Sequence, residues 1–531
     1  METYSFSSYF SMRDGCLHCE ETSVTDVHRI LQDDFPGRDS PFFVYSQNQI
    51  VENILAYKQP LLSLSNQCIL GYAVKANSNL SILKLIRQHC DTAVVVSGNE
   101  LKLALAAGFL PENIVYNGCG KTLREIDHAV SVGCLLNIDS LFDVAHIGKI
   151  AKGRGVTVRV LIRINPDIEV TAHPYISTAL AQCKFGIGIK EIDEVLRYLQ
   201  DQPKLRLVGF HCHLGSTIER TDVYRKTVSS VLQVVETVRS MGLTDIQYIN
   251  IGGGLGIDYK RHAKRTSPFI KPAFLDIVFR SLQDGKAETD IIAENILEAF
   301  ENQHKMTPEE VSEIIRSNLQ QYPHLIEEFE KQLEPELSHQ CPTPSDLVAS
   351  VKDLVEGKNI SLILEPGRSV VGNAGVLVMH VIGCKKNGHK RFLITDGSMT
   401  EVIRPSLYSA YHHIELAESS TLACGKAVYD IVGPVCESGD FLGKDRLLSV
   451  PHEGCSVTMF DVGAYGSVMS SNYNSRLRPV EIIVSGRKWA VIRKPETFGE
   501  LINPQLLTIT SEDKKEEKVK EKQSIEGKHA S

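Results

Sequence analysis

The chain has 531 residues, of which 42% are hydrophobic and 23% charged, an ordinary globular composition with material for two or three packed cores. Its net charge of −8 excludes a broad basic surface for nucleic acid or anionic lipid, and the acid excess is local, since residues 281–338 hold fourteen Asp and Glu against four Lys and Arg. No stretch reaches the roughly 18 apolar residues of a membrane-spanning helix.

From about residue 42 to 260, short β-rich runs alternate with amphipathic segments. The runs are Phe42–Tyr45, Ile69–Val74, Thr92–Ser97, Ile114–Asn117, Leu135–Ile138, Val156–Ile164, Leu207–His213 and Tyr248–Ile251. Such alternation predicts βα units around a parallel sheet. Most runs end in polar residues or glycine: Lys75-Ala-Asn, Ser97-Gly-Asn-Glu100, Asn117-Gly-Cys-Gly120, Asn165-Pro-Asp167, His213-Leu-Gly-Ser216 and Gly252-Gly-Gly254. A (β/α)8 barrel with its working groups gathered at the strand C-termini has this pattern, and Ser361–Leu364 before Glu365-Pro-Gly-Arg368 fits its last strand.

Between Tyr259 and Pro344 the rhythm breaks. Thr307-Pro308-Glu309-Glu310 is a capping box with proline at the first helical position, followed by Val311, Ile314, Ile315 and Leu319 on one face. Tyr322, Leu325, Ile326, Phe329 and Leu333 predict a second helix. This acidic stretch, about 262–341, reads as a helical insertion in the barrel. Thr343-Pro344-Ser345-Asp346 caps the helix at which the barrel resumes. Beyond about residue 375, the runs Val376–Ile382, Arg391–Thr395, His413–Leu416, Lys426–Val432, Ser456–Asp461 and Val480–Ser485 predict a separate β-domain, and the Lys/Glu-rich tail from Ser511 is expected to be disordered.

Thirteen cysteines without regular spacing argue for a reducing compartment. Cys16 and Cys19 have no second pair to complete a zinc site, so no metal is expected. The N-terminus lacks the basic start and apolar core of a secretory signal, and the cytoplasm is the expected location.

Several strand-end residues fit together chemically. Lys75, where a buried strand becomes a loop, can be partly desolvated and form a Schiff base with an aldehyde cofactor; the plainer reading is a lysine reaching water. Gly252-Gly253-Gly254 can offer bare N–H groups to a phosphate, with Ser216 adding a hydroxyl, or can simply make a tight turn. Glu365 can pair with a pyridinium nitrogen and strengthen the ring as an electron sink, or form a surface ion pair with an arginine. His213 can stack on a ring, or be a core histidine bonded to backbone. Cys436 and Glu437, after Gly433-Pro434, can deliver a proton and hold an ammonium; a buried small hydrophobe is the alternative for the cysteine. Arg404 and Tyr408, four apart, share a helical face that can clamp a carboxylate, or stack on each other at the surface.

In order, Ala73-Val-Lys-Ala-Asn77, His213-Leu-Gly-Ser216, Gly252-Gly-Gly254, Glu365-Pro-Gly-Arg368, Gly433-Pro-Val-Cys-Glu-Ser-Gly-Asp440 and Gly463-Ala-Tyr-Gly466 with Ser471-Asn-Tyr-Asn474 resemble the fold-type III pyridoxal-phosphate decarboxylases, most closely the diaminopimelate decarboxylases. Arg163-Ile-Asn-Pro-Asp167, His173-Pro-Tyr-Ile-Ser177, Lys184-Phe-Gly186 and Arg404-Pro-Ser-Leu-Tyr408 agree. Leu214 and Thr217 depart from the usual Ile and Gln, and the insertion is long for the family.

The resemblance implies an α/β chain of alanine-racemase-like architecture. Residues 1–41 would pack with the β-domain, 42–375 would form the barrel, 376–505 the C-terminal β-domain, and 506–531 a charged tail. It implies pyridoxal 5'-phosphate as cofactor, with Lys75 its covalent anchor, His213 on the ring, Glu365 at the ring nitrogen, and Ser216, Gly254, the backbone around Gly367, and Tyr465 at the phosphate. Arg368, Arg404 and Tyr408 would bind the distal carboxylate of meso-diaminopimelate and Glu437 its distal amino group. Cys436, donated by the second subunit of a homodimer, would protonate the reacting carbon. A decarboxylase of ornithine, lysine, a D-amino acid or carboxynorspermidine keeps the same chemistry, and a non-catalytic regulatory relative is the alternative from another class.

Overall fold

The computed structural model describes residues 4–168, 183–282, 286–333, 341–418 and 425–506. The His173–Ser177 motif and the charged tail from Ser511 lie outside the described residues.

Eight parallel strands close into a barrel: Cys68–Ala73, Thr92–Val95, Ile114–Tyr116, Leu135–Ile138, Val158–Asn165, Leu205–His211, Tyr248–Asn250 and Ser361–Leu364. Closure comes from pairing the last strand with the first, Leu362 opposite Cys68 and Leu364 opposite Leu70. The helices between them start at short polar caps. Ser97 and Ser140 accept from the N–H three residues on, and Thr122 with Glu125 forms a full capping box. The barrel strands are apolar and buried almost throughout, as expected where helices cover the outside of a parallel sheet.

Phe42–Ser46 corrects the expected series. It runs antiparallel to Gly375–Asn387 and parallel to Val480–Ser485, and so belongs to the second sheet. All five of its residues are buried, so the run has no polar face to reveal which sheet receives it. The second sheet has nine strands, with Phe441–Ser449 at one edge and Lys488–Arg493 at the other.

A four-stranded N-terminal sheet and the helix Val24–Asp34 pack on that domain, with Phe10, Leu17, Val27 and Leu31 sharing a core with Val44, Val376, Val378 and Val480. Buried Glu20 locks the corner, accepting from Ser46 Oγ (2.6 Å), Asn48 N (3.0 Å) and Asn48 Nδ2 (2.6 Å).

Among the described residues the acidic region forms four α-helices, Pro272–Ser281, Ala287–Asn302, Pro308–Asn318 and Pro323–Leu333, and the expected capping box at Thr307 and Glu310 is present. Leu275, Val278, Ile296, Val311, Ile315 and Phe329 give it a core of its own, which extends to Val428 of the β-domain. Glu301 bridges Lys386 (3.5 Å) and Arg391 (3.1 Å), and Asp276 meets His389 at 2.9 Å. The insertion's acidic charge therefore faces a basic hairpin of the β-domain. No helix among the described residues is long and apolar enough to cross a membrane.

Candidate active site

A cavity of about 440 Å³ opens at the C-terminal ends of the barrel strands, where the β-domain contributes its far wall. Lys75, His213, Ser216, Gly254, Glu365, Gly367, Arg368, Arg404, Tyr408 and Tyr465 all line it. Residues separated by up to 390 positions are thus brought to one concave site by strand ends that share a face.

Lys75 stands in a single 3-10 turn, Val74–Ala76, directly after its strand. Tyr465 N donates to Ala76 O (2.8 Å) and Asn77 Nδ2 to Gly463 O (3.1 Å), pinning the turn to the β-domain, while Tyr72 OH donates to Asn77 O (3.0 Å) from the barrel strand itself. The turn buries Val74 and Ala76 and leaves Lys75 exposed within the cavity.

Glu365 lies on the cavity floor, 6% exposed, and is no surface ion pair. Its carboxylate accepts from Asn250 Nδ2 at 2.6 Å and from Asn117 Nδ2 at 3.0 and 3.1 Å, with His211 Nε2 at 3.5 Å. Asn137 braces this shell, donating to Asn117 Oδ1 (2.9 Å) and His211 Nδ1 (2.5 Å). Burial alone would push the Glu365 carboxyl up; attraction to His211 and the amide hydrogen bonds outweigh it and hold the group below its ordinary value. The result is a buried anion poised to pair with a cationic ring nitrogen.

His213 sits two residues beyond the end of its strand and accepts at Nδ1 from Gly253 N (3.3 Å). It is thus bonded to backbone, as the plainer reading expects, and it also lines the cavity. Burial, then the nearby Lys75 and Arg163 charges, hold its imidazole far below the usual value, so it presents a neutral ring.

Of the three consecutive glycines only Gly254 lines the cavity. The N–H of Gly252 donates to Asn250 Oδ1 (2.9 Å), that of Gly253 to His213. A Cβ on Gly253 would stand 2.2 Å from Glu365 O, and one on Gly254, where φ is +96°, 2.3 Å from Gly215 O. Gly367 closes the same corner, its Cβ position 2.9 Å from that of Ala76. Ser216 Oγ accepts from Arg368 Nε (3.1 Å) and Nη2 (2.9 Å), and Arg368 lies over the Tyr465 ring at 4.7 Å. A close-packed backbone corner and a hydroxyl suit a phosphate. The buried carboxylate suits a pyridinium and the exposed Lys75 amine an aldehyde, so the residues fit pyridoxal 5'-phosphate.

Arg404 and Tyr408 come from a five-residue helix of the β-domain, and both face the cavity. Arg404 is buried rather than stacked at the surface. Cys436 and Glu437 are not in this cleft. Both are exposed on the turn after Val432, with Cys436 N donating to Asn474 Oδ1 (2.8 Å), and the buried-hydrophobe reading of the cysteine fails. Asp440 shapes that turn by accepting from Val435 N and Met399 N, each at 2.8 Å. Sequence reasoning did not assign Asn117, Asn250 and His211, although each is a polar residue ending an apolar strand, nor Tyr259 and His412, which carry no local signal.

The family profile described as "Pyridoxal-dependent decarboxylase, pyridoxal binding domain" matches residues 47–311, which hold the first seven barrel strands with Lys75, His213, Ser216 and Gly254, and places that part of the chain in the class. A probable chloroplastic diaminopimelate decarboxylase of Oryza sativa subsp. japonica is 39% identical over 92% of this chain and 82% of its own length. The diaminopimelate decarboxylase of Aquifex aeolicus is 34% identical over 94% and 98%. Among solved structures, diaminopimelate decarboxylase from Helicobacter pylori complexed with L-lysine has a TM-score of 0.67 at 30% identity, covering 89% of this chain and 98% of that one. The enzyme from M. jannaschii, in co-complex with L-lysine, has 0.72 at 28%, covering 94% and 98%. The chain belongs to the diaminopimelate decarboxylase family of pyridoxal-dependent carboxy-lyases.

Proposed function

We propose that the chain decarboxylates meso-2,6-diaminopimelate to L-lysine and carbon dioxide with pyridoxal 5'-phosphate, the last step of lysine biosynthesis. The observation that carries the substrate is the pair Arg368 and Arg404, joined by Tyr408, in the same cavity as Lys75 and Glu365. A simple diamine precursor has no second carboxylate to occupy two guanidinium groups.

Lys75 would anchor the cofactor, His213 would lie against its ring, and Ser216, Gly254, Gly367 and Tyr465 would hold its phosphate beside Arg368. When bound, the cofactor supplies an electron sink for the pair released as the carboxylate leaves. Glu365, held ionised by its amides, favours that sink by keeping the ring nitrogen protonated. Arg368, Arg404 and Tyr408 would fix the distal carboxylate and so orient the scissile one. Proton delivery at the reacting carbon falls to Cys436, with Glu437 holding the distal ammonium.

Because both are exposed outside their own chain's cleft, we assign them to the cleft of a second copy, making the enzyme a homodimer with shared sites. The twelve described cysteines are all free, which supports a reducing, cytoplasmic setting. Carbon dioxide release by the purified protein with added cofactor tests the reading across meso-diaminopimelate, ornithine, lysine and D-amino acids. Release from meso-diaminopimelate is expected, and silence on that substrate overturns the assignment.

A further inference from the structure

Behind the cavity wall, His412 is fully buried and its two ring nitrogens are both engaged. Nδ1 lies 2.9 Å from Phe460 O, so it carries the proton and donates; Nε2 then holds a lone pair, and Arg404 Nε donates to it at 3.1 Å. Phe460 is in turn fixed by its N–H to His413 O (2.9 Å). Neither His412 nor its neighbour Tyr259 lines the cavity.

We propose that His412 is a positioning residue for substrate recognition: by taking the Nε–H of Arg404 it forces that arginine to meet a carboxylate end-on, through its two terminal nitrogens. A guanidinium can grip a carboxylate either side-on, through Nε and one terminal nitrogen, or end-on. With Nε committed to His412 only the second mode faces the cavity, and the position of the distal carboxylate follows from it.

Tyr259 completes the device. Its ring lies 5.0 Å from the Arg404 Cζ and 5.8 Å from that of Arg368, its hydroxyl accepts from Arg368 Nη1 at 2.6 Å, and its ring meets His412 edge-on at 5.1 Å. A neutral aromatic group therefore sits against two like-charged guanidinium groups and attracts both. Burial, then the charge of Arg404, hold the His412 imidazole far below its usual value. A protonated ring could not accept from Arg404.

The inference rests on the diaminopimelate reading, and one set of variants separates the two. His412→Leu removes the acceptor, whereas His412→Gln retains an amide oxygen for Arg404. In His412→Leu, KM for meso-diaminopimelate is expected to rise on the order of tenfold with kcat within about threefold and cofactor absorbance retained. His412→Gln should recover most of the loss. In an Arg404→Lys background, which has no Nε–H, His412→Leu should add little further. An unchanged KM in His412→Leu, no recovery in His412→Gln, or an equal penalty in the Arg404→Lys background overturns the positioning role while leaving the enzyme's activity established. Should His412→Leu fail to fold, the KM of His412→Gln with and without Arg404→Lys decides by the same criterion. An unaltered protein that does not turn over meso-diaminopimelate overturns the substrate assignment and this role together.

Discussion

The strand-end cleft and the helical insertion use the same charged residue types in opposite ways. In the cleft, Glu365 and Arg404 are buried and each is held by named hydrogen-bond partners, so their protonation and direction are set by the fold. On the insertion, Arg316 with Glu330 and Lys331 with Glu328 are exposed pairs at 3.0 and 2.7 Å, where water screens most of the attraction. The lesson is that proximity along the chain is a poor guide to proximity to the chemistry. The insertion follows directly on the glycine corner of the cleft, yet none of the described residues between 272 and 333 lines the cavity. Only its root does related work, through Tyr259 against the arginines and Arg261 on buried Asp461 at 2.6 Å.

The comparison breaks most visibly at Lys75. Lys75→Ala should lower carbon dioxide release on the order of 10³-fold or more, and an active variant would remove the lysine from its role. Next comes Glu365→Gln, which keeps the shape but not the charge. It should reduce kcat by about 10²-fold, read by steady-state kinetics.

The same variant sharpens the electrostatic contrast. The folded Glu365 carboxyl is held below its ordinary value, so its stabilising contribution is complete above about pH 4.3, where the unfolded group is ionised. It is lost as pH falls through the lowered folded value. Denaturant midpoints measured from neutral into the acid range should therefore fall less steeply for Glu365→Gln than for the unaltered chain.

A core substitution in the insertion should separate stability from catalysis. Phe329, fully buried against Phe274, is expected to cost the helical unit about 3–5 kcal/mol on replacement by alanine. Faster hydrogen exchange within residues 272–333, with kcat and KM unaltered, is the expected result; a raised KM would tie the insertion to the cleft. The smallest effect belongs to Glu301→Gln, whose own side chain and partner Lys386 are about half exposed, with Arg391 less so. Its stability change should stay within about 0.5 kcal/mol, and a larger loss in denaturant melts would show that the acidic face is a true clamp.

Much of the cleft was legible because a buried parallel strand is an apolar run, and a charged or glycine residue at its end breaks the run visibly. Lys75, Glu365 and Gly254 were found in that way, and His213 by the polar loop just beyond its strand. Asn117 and Asn250 end similar runs, but amides are so common in turns that their shared grip on Glu365 left no mark. The four-residue spacing of Arg404 and Tyr408 predicted a common face, and one short helix indeed presents both to the cavity. Nothing local connects His412 Nε2 with Arg404 Nε, since either nitrogen of a histidine can face either way.

By itself the amino-acid order determined the alternation of strands and helices, the capped starts at Thr307 and Thr343, and the strand-end chemistry, because each depends on a few neighbouring residues. Tertiary structure alone decided that Phe42–Ser46 joins the β-domain and that the insertion docks on the hairpin carrying Lys386 and Arg391. It also left Cys436 exposed and outside its own chain's cleft. Those outcomes depend on which buried faces and charges meet across long separations, and a strand buried on both sides, like an exposed turn, carries no record of its partner.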